Sequence, residues 1–369
     1  MIEADRNQYR PRFVSPPGET LLETIQALGL SQAGLALRVG MTRKTVNEII
    51  SGAAPITPQT AIRLENTTGV PAHFWLNRER DYQESLAREA EREMLASRVK
   101  WLKKFRLTHA FKFGWLAQQA DPVEQVRALL QFFGIASPDE WAAVWEKPSV
   151  TWRQSAAYTR DIYAISLWLR RGEIEAQAIQ TTPFDSSRFK KALEAIRKGM
   201  SVDPKVFEPL LVENCRGTGV AVVFVPEIPG TRAYGAVKWL SPTRALIQLS
   251  LRGKTEDQLW FTFFHEAAHV LLHNKRGTIL EFSNGAGGRV TKDEVEANEY
   301  AADILIPRDA WNGFHLVGVF TPARIQEFAT KVRVTPGIVV GRLQHEHTIG
   351  FNSTLNRLKT KLEFASHIG

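Results

Sequence analysis

The stretch His265-Glu266-Ala267-Ala268-His269-Val270-Leu271-Leu272-His273-Asn274-Lys275 decides how the rest of the chain is read. Its first five residues have the spacing H-E-x-x-H. On a helix, residues four apart share a face, so His265 and His269 can bind one metal ion together. Glu266, beside the first of them, can then reach a water held by that ion and help aim it at a carbonyl. The flanks Leu259-Trp260-Phe261-Thr262-Phe263-Phe264 and Val270-Leu271-Leu272 are almost wholly apolar and predict a buried helix. Titratable side chains inside such a run are costly unless paired or metal-bound. Five-residue matches of this kind also arise by chance, and a second element is needed beside it.

That element is Asp293-Glu294-Val295-Glu296-Ala297-Asn298-Glu299-Tyr300-Ala301-Ala302-Asp303-Ile304-Leu305-Ile306-Pro307. It predicts a helix with acids on one side, alanines for close packing on another, and a proline stop. A hydrolytic zinc site takes three protein ligands and keeps one position open. A carboxylate from a second helix supplies the third. Glu294 and Asn298 are four apart, so Glu294 can bind the ion while Asn298 hydrogen-bonds a ligand histidine from behind. Glu296 lies in the same turn and competes with Glu294, since only register separates them. His273, four residues beyond His269, has three readings: a further ligand, an electrophile for an oxyanion, or a core histidine bonded to backbone.

These two blocks, H-E-A-A-H-V-L-L-H and E-V-E-A-N-E-Y-A-A-D-I-L-I-P, resemble the ImmA/IrrE family of metallopeptidases, of gluzincin type. The resemblance implies zinc on His265, His269 and Glu294, with Glu266 as general base. It favours Glu294 over Glu296, because Glu294 starts the family's E-x-x-A-[ND] pattern. Tyr300 stands where the family often has Phe, which leaves the packing role intact.

The 369-residue chain is 44% hydrophobic and 23% charged, ordinary values for a soluble globular protein of two or three domains. Its single cysteine, Cys215, excludes an internal disulfide and a thiolate metal cluster, and fits a reducing cytoplasm. Met1-Ile2-Glu3-Ala4-Asp5-Arg6 has no basic-then-apolar signal pattern, and no apolar run approaches the roughly 18 residues of a membrane span. The net charge of +8 suggests an anionic partner. Six of the ten tryptophans (Trp101, Trp115, Trp141, Trp145, Trp152, Trp168) fall in the middle third and predict a packed core there.

Residues 18–76 carry a second pattern. Thr20–Leu28 reads as a helix with Leu21, Leu22, Ile25 and Leu28 at helical spacing. Ser31 is placed to cap a second helix that ends at Val39-Gly40. The turn Gly40-Met41-Thr42 leads into a third, Arg43 to Ile50. Two short helices across a glycine-containing turn predict a helix-turn-helix. Val46, Ile49 and Ile50 form its buried face. Lys44, Asn47 and Glu48 point away from it, with Arg43 at the exposed first turn, where they would meet base edges or phosphates.

The text S-Q-A-G-L-A-L-R-V-G-M-T-R-K-T-V-N-E-I-I-S-G, continued by G-V-P-A-H-F-W-L-N, resembles the Xre/Cro family and most closely its HigA-like antitoxin branch. The resemblance implies a five-helix domain in which Gln32 and Arg43 contact phosphates or bases. Gly34 and Leu37 depart from the polar residues usual in the second helix. Gly34 should weaken that helix by up to ~1 kcal/mol against Ala. Leu37 is expected to pack on another domain or subunit. The competing reading is a five-helix packing module that no longer reads DNA.

Acids and bases alternate from Asp81 to Met94, as on a solvated helix. The basic run Ser97–Leu116 reads foremost as an amphipathic helix with Trp101, Leu102 and Phe105 in the core; the alternative lays it along DNA phosphates. Residues 121–200 predict helices interrupted at Gly134, Ser137-Pro138 and Pro183, one of them ending over Leu167–Glu173. Segments 219–225, 234–240 and 244–251 are strand-like, and a small meander sheet packed on the H-E-x-x-H helix is expected. Arg244–Leu251 is the candidate edge strand for holding a peptide by main-chain hydrogen bonds. Helical pieces recur at 323–329 and 335–343, and His345 and His347 read as surface residues.

The expected fold is mainly α with a small β-sheet (α+β). Its parts are a helix-turn-helix domain at 15–80, a helical connecting region at 81–205, a gluzincin-like zinc peptidase domain at 206–310 and a helical tail at 311–369. The expected function is a cytoplasmic, DNA-binding transcriptional regulator fused to a zinc endopeptidase that cleaves a regulator protein in a stress response. Its partners would be a double-stranded operator, a protein or peptide substrate and a second copy in a homodimer, with no membrane. The alternative is a HigA-like antitoxin or autoregulatory repressor with a toxin partner and a metal site that is structural or ligand-sensing.

Overall fold

The computed structural model describes residues 14–146, 161–273, 278–282 and 291–362, the strand 278–282 by its backbone. Met1–Arg6, Trp152, Asn274 and Lys275, named above, lie outside the described residues. The chain divides into two compact units, Met1–Arg98 and Val99–Gly369.

The described residues of the first unit form five helices: α1 (Pro17–Ala27), α2 (Gln32–Val39), α3 (Arg43–Ile50), α4 (Pro58–Thr68) and α5 (Ala72–Ser97). Local chemistry sets most of their ends. Ser31 Oγ accepts from the Gly34 N–H at 3.0 Å to start α2, and Thr42 Oγ1 accepts from the Thr45 N–H at 3.1 Å to start α3. Gly40 closes α2 in the left-handed region at φ 64°. Leu21, Ile25, Leu35, Val46, Ile49, Leu64 and Trp75 form the core. A Cβ at Gly18 would stand 2.2 Å from the Ile49 carbonyl oxygen, so glycine there lets α1 rest directly on α3. The apolar stripe expected to reach Leu28 stops at Ile25, because the helix ends at Ala27 and Leu28 is 49% exposed. Leu37 is 84% exposed within this unit. α5 runs unbroken through residues 80 and 81, so the expected boundary there falls inside a helix.

The second unit opens with a 3-10 turn (Val99–Lys104), then α6 (Leu107–Lys112), α7 (Pro122–Phe133) and α8 (Pro138–Trp141). The continuous amphipathic helix expected over 97–116 is therefore broken. Arg106 leaves helical geometry at ψ 58°, while Trp101 and Phe105 still turn inward. Their rings join Phe133, Trp141 and Tyr163 in an edge-to-face aromatic cluster, with Trp141 stacked on Tyr163 at 4.6 Å. α9 (Ile162–Ala178) continues well past the end expected at Glu173. Gly172 sits mid-helix because the Gln248 carboxamide occupies the place of a side chain, 1.9 Å from where a Cβ would be.

After α10 (Ser186–Lys198) and α11 (Pro204–Arg216) come β1 (Val220–Phe224), β2 (Ala233–Ser241), β3 (Arg244–Leu249), α12 (Glu256–Leu272) and β4 (Thr278–Phe282). The sheet order is β1-β3-β2-β4, with β1 parallel to β3 and the other pairs antiparallel. It is not the expected meander. Arg244–Leu251 is not an edge either, since β3 lies between β1 and β2 with Ile247 opposite both Val222 and Val237. Its near-continuous burial is the mark of an interior strand.

The unit closes with α13 (Lys292–Leu305), α14 (Arg308–Leu316), α15 (Pro322–Val332) and α16 (Pro336–His345). One core joins α10, α11, the sheet, α12, α13 and the C-terminal helices, through Phe189, Phe207, Ile247, Trp260, Phe264, Ala301, Trp311, Phe328 and Val339. Residues 311–362 are part of that core rather than an appended tail. The chain is mainly α with a small sheet. No helix among the described residues is long and apolar enough to cross a membrane.

Candidate metal centre

α12 is the axle of the second unit. It packs on β2, β3, α13 and α16, and almost every side chain from Leu259 to Val270 is buried. Ala297 and Ala301 of α13 are fully buried and bring that helix close. This contact carries Glu294 to the histidines. Its carboxylate lies 3.3 Å from His265 Nε2 and 3.6 Å from His269 Nε2. The ligand atoms of His265, His269 and Glu294 all fall within 4.8 Å of one another. Glu296 points elsewhere, to His273.

Polar partners stand behind both histidines. Asn298 Oδ1 faces His265 Nδ1 at 2.9 Å, an arrangement in which a proton on Nδ1 would direct the Nε2 lone pair to an ion. His269 Nε2 stands 3.0 Å from His265 Nε2. Burial foremost, then the neighbouring His265, holds the His269 imidazole down at about 3, although Glu294 pulls the other way. Burial raises Glu294, but the neighbouring His265, with His269 and His273, outweighs it and keeps that carboxyl below its ordinary value. Two imidazole nitrogens and one carboxylate converging on a buried point are the donor set of a divalent zinc-type site, and these residues fit such an ion.

Glu266 is fully buried beside them. Its carboxylate lies beneath β2, where a Cβ on Gly235 would stand 2.5 Å from Oε1 and 2.9 Å from Cγ. Sequence reasoning missed Gly235, although a glycine inside a strand signals a close approach. His273 is the residue at which α12 ends, with extended backbone at ψ 161°, so it does not continue the helix face. Its ring turns back to His269, Nδ1 to Nδ1, at 2.8 Å. His345 is exposed, yet its ring packs 5.1 Å from Phe261, one turn before His265. His347 is exposed.

In the first unit Gln32, Arg43, Lys44 and Asn47 are all exposed, at the start of α2 and along the outer face of α3. With Ala33 they line one hollow of about 610 Å³. Lys44 makes a long i,i+4 pair with Glu48 at 3.8 Å, and both remain solvated.

Residues 21–75 match the family model described as helix-turn-helix. An uncharacterized HTH-type transcriptional regulator of Escherichia coli, YddM, is 31% identical over 86 residues, which are 23% of this chain and 88% of that protein. The chain belongs to the helix-turn-helix regulators. This helix-turn-helix protein also matches, over residues 221–344, the peptidase family model described as IrrE N-terminal-like domain, and that span contains the whole centre. Among solved structures, a HigA-family antidote protein from Coxiella burnetii is 30% identical over 23% of this chain and 92% of that chain, with a TM-score of 0.22. The antitoxin HigA of Pseudomonas aeruginosa, solved with the higBA promoter, is 30% identical over 22% of this chain and 90% of that one, also with a TM-score of 0.22.

Proposed function

We propose that this helix-turn-helix protein is a cytoplasmic transcriptional regulator that binds an operator as a homodimer and cleaves a regulator protein with a zinc-dependent endopeptidase domain, in a stress response. The reading rests above all on the convergence of His265, His269 and Glu294 within 4.8 Å beside a buried Glu266.

His265, His269 and Glu294 would hold the ion, which when bound supplies Lewis acidity and brings water toward ionisation near neutral pH. Asn298 holds the His265 ring so that Nε2 presents its lone pair. Glu266 takes a proton from the attacking water and returns it to the leaving amine, a role its buried carboxylate suits because the same group serves as base and then acid. Arg43, Lys44, Asn47 and Gln32 offer a solvated face of donors for phosphates and base edges, and the solved P. aeruginosa antitoxin was captured on promoter DNA.

Elemental analysis of the purified protein tests the centre. The expected result is about one zinc per chain, kept in Glu266→Gln and lost in His269→Ala, consistent with three protein ligands to one ion. No stoichiometric metal in the parent protein would refute the zinc peptidase and leave a DNA-binding repressor.

A further inference from the structure

We infer that Glu296, acting through His273, is a positioning residue that sets the tautomer and orientation of His269 for metal binding. The chain of contacts is short and continuous. His269 Nδ1 meets His273 Nδ1 at 2.8 Å, and His273 Nε2 meets Glu296 Oε2 at 3.4 Å. A carboxylate only accepts, so His273 carries its proton on Nε2 and directs it at Glu296. Its Nδ1 is then a bare acceptor. The only proton that can fill the 2.8 Å contact is the one on His269 Nδ1, which leaves His269 Nε2 as a lone pair facing the ligand cluster. One acid at the surface thereby fixes two imidazoles in sequence.

The placement follows from backbone already described. α12 ends at Leu272, and the extended geometry of His273 swings its ring back beneath His269 instead of onward. The His273 side chain is 5% exposed and largely shielded from solvent, while Glu296 is 42% exposed and paired with Lys292 at 3.3 Å. Asp293 Oδ1 lies 4.0 Å from the same Nε2 and reinforces the field. His265 has a different support, the neutral Asn298. The two ligand histidines are thus held by unlike partners, one by a carboxamide and one by a charged relay.

The inference rests on the reading of His265, His269 and Glu294 as ligands. The test uses the full chain, stripped of metal and titrated with zinc against a competing chelator. Cobalt(II) absorption serves as a second readout of site geometry. Glu296→Ala and His273→Ala should each weaken zinc binding about 10- to 100-fold and alter the cobalt spectrum, as loss of outer support does at such sites. Glu296→Gln, whose amide oxygen still accepts, should recover most of the affinity. The double variant should be no weaker than His273→Ala, since both act through one chain. Unchanged affinity in Glu296→Ala, or additive losses in the double variant, would overturn the relay. So would two ions per parent chain falling to one in the variants, which would make His273, Asp293 and Glu296 a second cation site. Absence of any tight zinc in the parent protein would instead refute the metal centre itself.

Discussion

Gly235 and Glu266 occupy one space: the carboxylate of the second lies where a side chain on the first would begin, at 2.5 Å. Thr262 closes the same pocket, its Cγ2 at 2.7 Å from that position. Gly235→Ala should therefore displace Glu266 while leaving the histidines and Glu294 in place. We expect a loss of about 1–3 kcal/mol in stability from overpacking. Peptide turnover should fall much further than metal content does. Urea unfolding, zinc analysis and a cleavage assay on one preparation distinguish these effects.

Glu266→Gln should remove proton transfer and little else. Loss of a positioned general base costs typically about 10²- to 10⁴-fold in rate. Operator binding by the first unit should be unchanged, as measured by fluorescence anisotropy at fixed salt. A variant that still cleaves at the parent rate would exclude Glu266 as the base.

On the face of α3, Arg43 and Lys44 are expected to act on phosphates and Asn47 on a base edge. Arg43→Ala or Lys44→Ala should weaken binding to every sequence and make the slope of log affinity against log salt shallower by about 1. Asn47→Ala should cost about 1–3 kcal/mol on the operator and relax preference at one position. Equal affinity of parent and variants across salt would show that this face does not touch DNA.

Glu256, at the start of α12, should make the second unit sensitive to pH. It is fully buried, its Oε2 accepts from the Thr360 N–H at 2.5 Å, and Gly337 leaves room for Oε1. Burial, with the adjacent Asp257, raises its pKa from 4.5 to about 7 although its hydrogen bonds pull downward. The folded state thus holds a proton that the unfolded state releases. The stabilisation is full below about 4.5 and is lost as pH rises through about 7, a swing on the order of 3 kcal/mol. The thermal midpoint should fall between pH 5 and pH 8, and Glu256→Gln should flatten that fall.

What could be read in the sequence was what is local. Ser31 and the turn at Gly40 announce their caps within three or four residues, and the i,i+4 spacing of His265 and His269 is a property of one helix. Helix spacing alone left open which acid would reach them, because that depends on the register of α13 against α12, set by Ala297 and Ala301. Strand order was equally hidden. Arg244–Leu251 looks the same at an edge or in the middle until β1 pairs with it from more than twenty residues away. The helix end read over Leu167–Glu173 came too early, because the reason for a glycine at 172, the Gln248 side chain, arrives from β3. The turn of His273 back upon His269 required knowing where α12 stops.

α12 is walled by apolar contacts on β2, β3, α13 and α16, a core large enough to be expected to form without an ion. The proposed donor set should therefore be assembled by folding and stand ready before any cation arrives. Chelation should then empty the site of a protein that stays native, unlike small zinc modules that unravel without their metal. The occupancy of such a site can follow the free-metal level of its surroundings as a reversible variable, independent of how much folded protein is present.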